Sequence, residues 1–202
     1  MKSIDLIDEI GLDKQIETTV PMLGECKLDS PLLGTEGIQF VSDEDRVLVR
    51  TSFKSLRSCS KAQTAPPSFE LAGPRERIFF HPNMLRCAIV TRGGLCPGTN
   101  AVIGTIVTSF HYTYGVRCIL GIRSGLQGFI PAYGLSPIEL TQAIAEEASA
   151  KGGTILGTSR GLQDTDLIVD SLVRMGVGVL FLIGGAGTLR LAMKIADKVE
   201  TR

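Results

Sequence analysis

Near its C-terminus the chain reads VGVLFLIGGAGTLRLAMKIADK, residues 177–198. A short apolar run stops at Gly184-Gly185-Ala186-Gly187-Thr188, and an amphipathic stretch follows. An uninterrupted apolar run of this length fits a strand buried on both faces. The glycines after it fit a sharp turn into the first turn of a helix. The same order occurs upstream. RCAIVT (residues 86–91) reads as a buried strand and RGGLCPGTN as a turn. Val102, Ile103, Ile106, Val107, Phe110 and Tyr114 then recur at helical spacing up to a stop at Gly115.

Between these two copies the alternation continues. A strand is predicted over 116–122 and a helix over 137–153, with Pro137 in its first turn. Residues 154–163 read as a short strand or loop, and 164–176 as a helix with acids at its start and Gly176 at its stop. The last helix, over 188–200, is expected to bury Leu189, Ala192, Met193 and Ala196. Strand–helix alternation predicts an α/β domain of three layers with a mostly parallel sheet and right-handed crossovers. Such sheets bind ligands beyond the carboxyl ends of their strands. In this chain that is where the glycines lie.

Residues 1–85 have a different texture. Pro21, Pro31, Pro66, Pro67, Pro74 and Pro82 punctuate them. A short strand is expected over 46–50, and 55–68 reads as a loop or linker. We read 1–85 as an irregular N-terminal extension and 86–202 as an incomplete α/β domain.

Composition narrows the partners. Lys+Arg and Asp+Glu are both 21, so the net charge is zero, which leaves no footprint for nucleic acid or an anionic membrane. The first 17 residues carry acids inside their apolar stretch and do not read as a signal peptide. No apolar run approaches the ~20 residues of a membrane span. Cys26, Cys59, Cys87, Cys96 and Cys118 are odd in number and form no CxxC, which points to reduced thiols in a cytoplasmic protein. His81 and His111 lack metal-site spacing.

Three glycine-rich loops carry the candidate chemistry: residues 91–100, 152–161 and 184–188. A helix N-terminus offers free N–H groups and a positive dipole end, and glycine lets a phosphate approach closely. Arg160, in the second loop, could clamp phosphate oxygens. Neither the Walker pattern nor GxGxxG occurs, and Ser159 sits in TSRG and not in GxSxG. Cys96 reads as a structural thiol, and Asp164 and Asp166 as helix caps. No catalytic residue and no metal ligand is singled out.

The series CAIVTRGGLCPGTNAVI, GGTILGTSRG and VLFLIGGAGT resembles the N-terminal half of a 6-phosphofructokinase. GGLCPG is similar to the branch that holds the pyrophosphate-dependent enzymes and the ATP-dependent enzymes of plants, trypanosomatids and many bacteria. DEDRVLV and AGPRERIFFHP resemble the N-terminal extension of its ATP-using members. The resemblance implies a Rossmann-like domain and phosphoryl transfer from ATP to fructose 6-phosphate, giving fructose 1,6-bisphosphate in glycolysis. It implies Mg2+ and a homo-oligomer, or association with a full-length subunit.

By the same resemblance, Gly93 matches the phosphate-binding glycine of the first loop. Arg160 and Gly161 match an arginine and its neighbour at the nucleotide phosphates. Gly185, Gly187 and Thr188 match the nucleotide loop. Glycine at 187, where pyrophosphate users tend to carry Asp, favours ATP. At Ala186 the family usually has an Asp that helps hold Mg2+, so metal binding is expected to be weakened. The family's next motif, TIDND-like and bearing the general base, does not occur in these residues. The expectation is a truncated N-terminal part that does not complete the reaction alone. The alternatives are a non-catalytic nucleotide-binding or regulatory paralogue, and a pyrophosphate-dependent enzyme.

Overall fold

The computed structural model describes residues 18–201; the signal-peptide reading falls on residues outside that range. The chain divides into two compact units, Met1–Phe79 and Phe80–Arg202.

In the first unit, β1 (Leu28–Asp29) pairs antiparallel with β4 (Arg77–Ile78), and β2 (Arg46–Leu48) with β3 (Ser68–Glu70). The strand expected over 46–50 is thus present, shorter by two residues. The linker expected over 55–68 is corrected. Phe53–Ala62 form a helix, α1, and only residues 63–67 connect it to β3. Its cause is local. The Ser52 hydroxyl accepts from the Ser55 N–H at 3.3 Å, and Gln63 closes the helix in the left-handed region at φ 53°. The serines had suggested a loop, but the Ser58 hydroxyl bonds back to the Lys54 carbonyl without breaking the helix.

The second unit holds a four-stranded sheet in the order β7-β6-β5-β8. β5 (Arg86–Thr91) runs parallel to both β6 (Cys118–Ile122) and β8 (Val179–Ile183), while β7 (Ile138–Glu139) is antiparallel to β6. Side chains alternate across β5, as a pleated strand requires. Cys87 and Ile89 pack with Ile103 and Val107 of α2 (Thr99–Thr108) and Ala145 of α3 (Gln142–Ser149). Ala88 and Val90 pack on the other face. Their partners are Ile168 and Leu172 of α4 (Thr165–Met175) and Leu191 and Ile195 of α5 (Ala186–Glu200). The result is three layers with helices on both faces. Each large aliphatic side chain so buried stabilises the fold by about 1.5–3 kcal/mol.

Several boundaries differ from the sequence reading. α3 starts at Gln142 and not at 137, because Ile138 and Glu139 pair with β6 and Thr141 then caps the helix. α2 ends at Thr108, and the backbone continues as a wider π-turn over Ser109–Thr113 before Gly115 turns it at φ 74°. Residues 154–163 form no strand; one parallel bridge, Arg92 to Ser159, ties them to the end of β5. α5 begins at Ala186, two residues earlier than expected. It buries Thr188, Leu191 and Ile195, and leaves Leu189 and Met193 about two-thirds exposed. Both apolar stripes have helical spacing. The choice is made by the turn, which packs Thr188 against Gly184 and fixes the helix's rotation.

Among the described residues no helix is long and apolar enough to cross a membrane. All five cysteines are free. Burial pushes the Cys87 thiol up to about 12, with a smaller contribution from neighbouring Cys118.

Candidate phosphate-binding cleft

The loop after β5 reverses at Gly93, whose φ of 104° belongs to the left-handed side that glycine tolerates. Its N–H donates to the Ser159 carbonyl at 3.3 Å, and its own carbonyl accepts from the Thr158 hydroxyl at 2.9 Å. The first and second glycine loops are therefore stitched together. Thr91, the last residue of β5, adds to this. Its hydroxyl donates to the Gly157 carbonyl at 2.6 Å and lies 3.1 Å from the Thr154 hydroxyl.

Buried Asn100 does the same from the first turn of α2. Its amide donates to the carbonyls of Lys151 and Gly152, and its oxygen accepts from the Ile155 N–H at 2.8 Å. The third loop joins through Gly184. A methyl group there would collide with the Thr188 hydroxyl and the Arg92 carbonyl, so the absence of a Cβ permits this approach.

Together the three loops wall a cleft of about 570 Å³ at the carboxyl ends of β5 and β8. Gly93, Gly185, Gly187 and Thr188 line it. The N-termini of α2 and α5 open onto it through Thr99 and Gly187, and the first amides of each helix lack intrahelical acceptors. Arg160 stands at the rim, exposed, its Nη2 3.4 Å from where a methyl on Gly94 would lie. Gly161 is placed beside the same cleft by its carbonyl, which accepts from the Arg92 Nη2 at 3.1 Å. The six residues singled out from the sequence thus converge. Thr188 differs from the others in being buried, with its side chain turned back against Gly184.

Two residues were missed. Asn100 gave no signal, since its partners lie more than fifty positions away. Arg92 stood in TRGG between strand and glycines, a position that could have marked it as a cleft cation. Cys96 is corrected: its thiol is exposed and lines the cleft. Asp164 caps α4 as expected, accepting from the Asp166 N–H at 2.9 Å. Asp166 lies 2.8 Å from Lys198.

The donor set does not fit a directly held Mg2+, which takes oxygen ligands. Among the described residues no acidic side chain lines the cleft, and no group of three His, Cys, Asp or Glu could hold an ion. Ala186 contributes a methyl at the first position of α5.

The phosphofructokinase family profile matches residues 86–201, more than half of the chain. The chain belongs to the phosphofructokinase family. It is 41% identical over 188 residues to the ATP-dependent 6-phosphofructokinase of Amycolatopsis methanolica, covering 91% of this chain and 41% of that one. It is 38% identical over 195 residues to the enzyme of the same name from Borreliella burgdorferi, covering 94% and 43%. The chain therefore spans about two fifths of the length of these curated relatives. Its fold matches the crystal structure of a pyrophosphate-dependent phosphofructokinase from Marinobacter aquaeolei. There the TM-score is 0.52 at 15% identity, over 58% of this chain and 30% of that one, a likeness that concerns the fold alone.

Proposed function

We propose that the cleft is the phosphate-tail site of an ATP-dependent 6-phosphofructokinase. The whole protein would transfer a phosphoryl group from ATP to fructose 6-phosphate in the cytoplasm, as a homo-oligomer. Residues 86–202 are the part that holds the nucleotide, and 1–85 are an extension to it. One observation carries this reading: three glycine loops, far apart in sequence, meet at one cleft beside two helix N-termini and two arginines. Phosphoryl transfer depends on positioning and charge neutralisation, and this arrangement supplies both.

In this reading Gly93, Gly185 and Gly187 let the phosphates reach backbone N–H groups. Arg160 and the Gly161 turn close over them, and Thr188 holds the third loop in shape. The names of the curated relatives, both ATP-dependent, favour ATP over pyrophosphate. Mg2+ serves phosphofructokinases generally, but the described residues of this cleft offer it no carboxylate. That same lack favours a second reading, a non-catalytic nucleotide-binding subunit.

The test is calorimetric titration of the chain with ATP and with pyrophosphate, alongside fructose 1,6-bisphosphate formation from fructose 6-phosphate. ATP binding with loss on Arg160→Ala is the expected result. Fructose 1,6-bisphosphate formation by the chain rejects the second reading, and no ATP binding rejects both.

A further inference from the structure

Arg92 is the cation closest to the heart of the cleft, and the contacts around it are incomplete. Its backbone N–H donates to the Ile183 carbonyl at 2.9 Å, which seats it between β5 and β8. Its Nη2 donates to the Gly161 carbonyl at 3.1 Å, which fixes the direction of the side chain. Its Nη1 reaches the third loop, 3.1 Å from where a methyl on Gly187 would stand. Its Nε is shut off from solvent and has no hydrogen-bond partner.

A guanidinium has five N–H donors, and leaving one buried and unpaired is costly. No carboxylate among the described residues lining the cleft balances the charge. A planar cation held by the Gly161 carbonyl, facing a glycine and an open cleft, matches the oxygens of a phosphate chain. The cleft likewise offers a divalent ion no carboxylate, and Ala186 adds only a methyl at the start of α5.

We propose that Arg92 is a built-in counter-charge, which lets this cleft hold an oligophosphate chain without a divalent metal ion. The inference rests on the phosphate-tail reading above and deepens it. Arg92 acts here as a specificity-determining residue: it sets the metal requirement of binding. The bare triphosphate of ATP and inorganic pyrophosphate share the chemistry it recognises.

The test titrates the 202-residue chain with ATP and with pyrophosphate by calorimetry, once in EDTA and once in excess Mg2+. Wild type is expected to bind with similar affinity in both buffers. Arg92→Gln keeps a donor for the Gly161 carbonyl but loses the charge. It is expected to weaken binding in EDTA by about tenfold, a loss of about 1.4 kcal/mol, and to leave a clear gain on adding Mg2+. Arg92→Lys should retain part of the metal-free affinity.

If Arg92→Gln does not fold, Arg92→Lys serves in its place: a partial loss in EDTA that adding Mg2+ recovers is expected, and binding like wild type in EDTA overturns the proposal. A purely structural tie would lower the unfolding midpoint without changing the metal dependence. Wild type that binds ATP only with Mg2+ overturns the proposal and leaves the phosphate-tail reading standing. So does folded Arg92→Gln that binds like wild type in EDTA. No binding of either ligand in either buffer overturns both.

Discussion

Asn100 is 2% exposed, and both ends of its side-chain amide are spent on the backbone of residues 151–155. Deleting the amide strands two carbonyls and an N–H at a part-buried place. Asn100→Ala should therefore lower stability by about 2–3 kcal/mol, read as a shift of the urea midpoint. An unchanged midpoint would mean that these bonds add nothing net over water. Asn100 also shows what sequence reading misses at this scale. It stood in a quoted motif, yet nothing local says that its partners are the carbonyls of another loop.

Cys87 makes a second prediction. Its thiol is fully buried, and that burial pushes it up to about 12, above the range of an unfolded thiol. The raised value stabilises the fold at neutral pH. That contribution is lost as pH climbs from the unfolded thiol's range through about 12, because only the unfolded chain ionises there. The slope approaches about 1.4 kcal/mol per pH unit. Denaturation between pH 8 and 11 should show a steeper fall in wild type than in Cys87→Ala. Parallel curves would contradict the assignment.

Among the elements, α2 and α3 approach each other closely at Gly104. A methyl there would strike the Ser149 hydroxyl and come within 3.1 Å of the Ala145 carbonyl. Alanine gains about 1 kcal/mol of helix propensity over glycine, while overpacking costs about 1–3 kcal/mol. Gly104→Ala should be net destabilising. Adding Ser149→Ala should recover part of the loss, a coupling that a double-mutant cycle measures. Strict additivity would place the clash elsewhere.

The strands were legible as apolar runs because both faces of β5 are buried, so period and length suffice. α4 was legible from its caps, Asp164 and Gly176. α1 was hidden by serines that suit loops as well as helices. The buried face of α5 was hidden because the turn and not the periodicity sets its rotation. The start of α3 moved because a pairing with β6, invisible from local sequence, claimed Ile138 and Glu139.

For the molecule, the sheet order matters most. Among the described residues β8 lies at an edge of the sheet, and all five of its residues are partly exposed. An apolar edge with free N–H and C=O groups invites pairing with another chain. The 202-residue chain should therefore self-associate, with sedimentation that depends on concentration. A monodisperse monomer at every concentration would contradict this. The α/β architecture and the meeting of the three glycine loops were legible from strand–turn–helix grammar and from the rule that ligands gather at strand carboxyl ends. That the loops are stitched by Thr91, Arg92, Thr158 and Asn100 was not, since those bonds join residues brought together only by the fold.

In the proposed function these three loops act as one phosphate site. Amide hydrogen exchange, measured with and without saturating ATP, tests it most directly. Amides of residues 93–98, 157–161 and 184–188 should gain protection together, while those of α1 and the strands of the first unit stay unchanged. Protection confined to one loop, or appearing elsewhere, would contradict it.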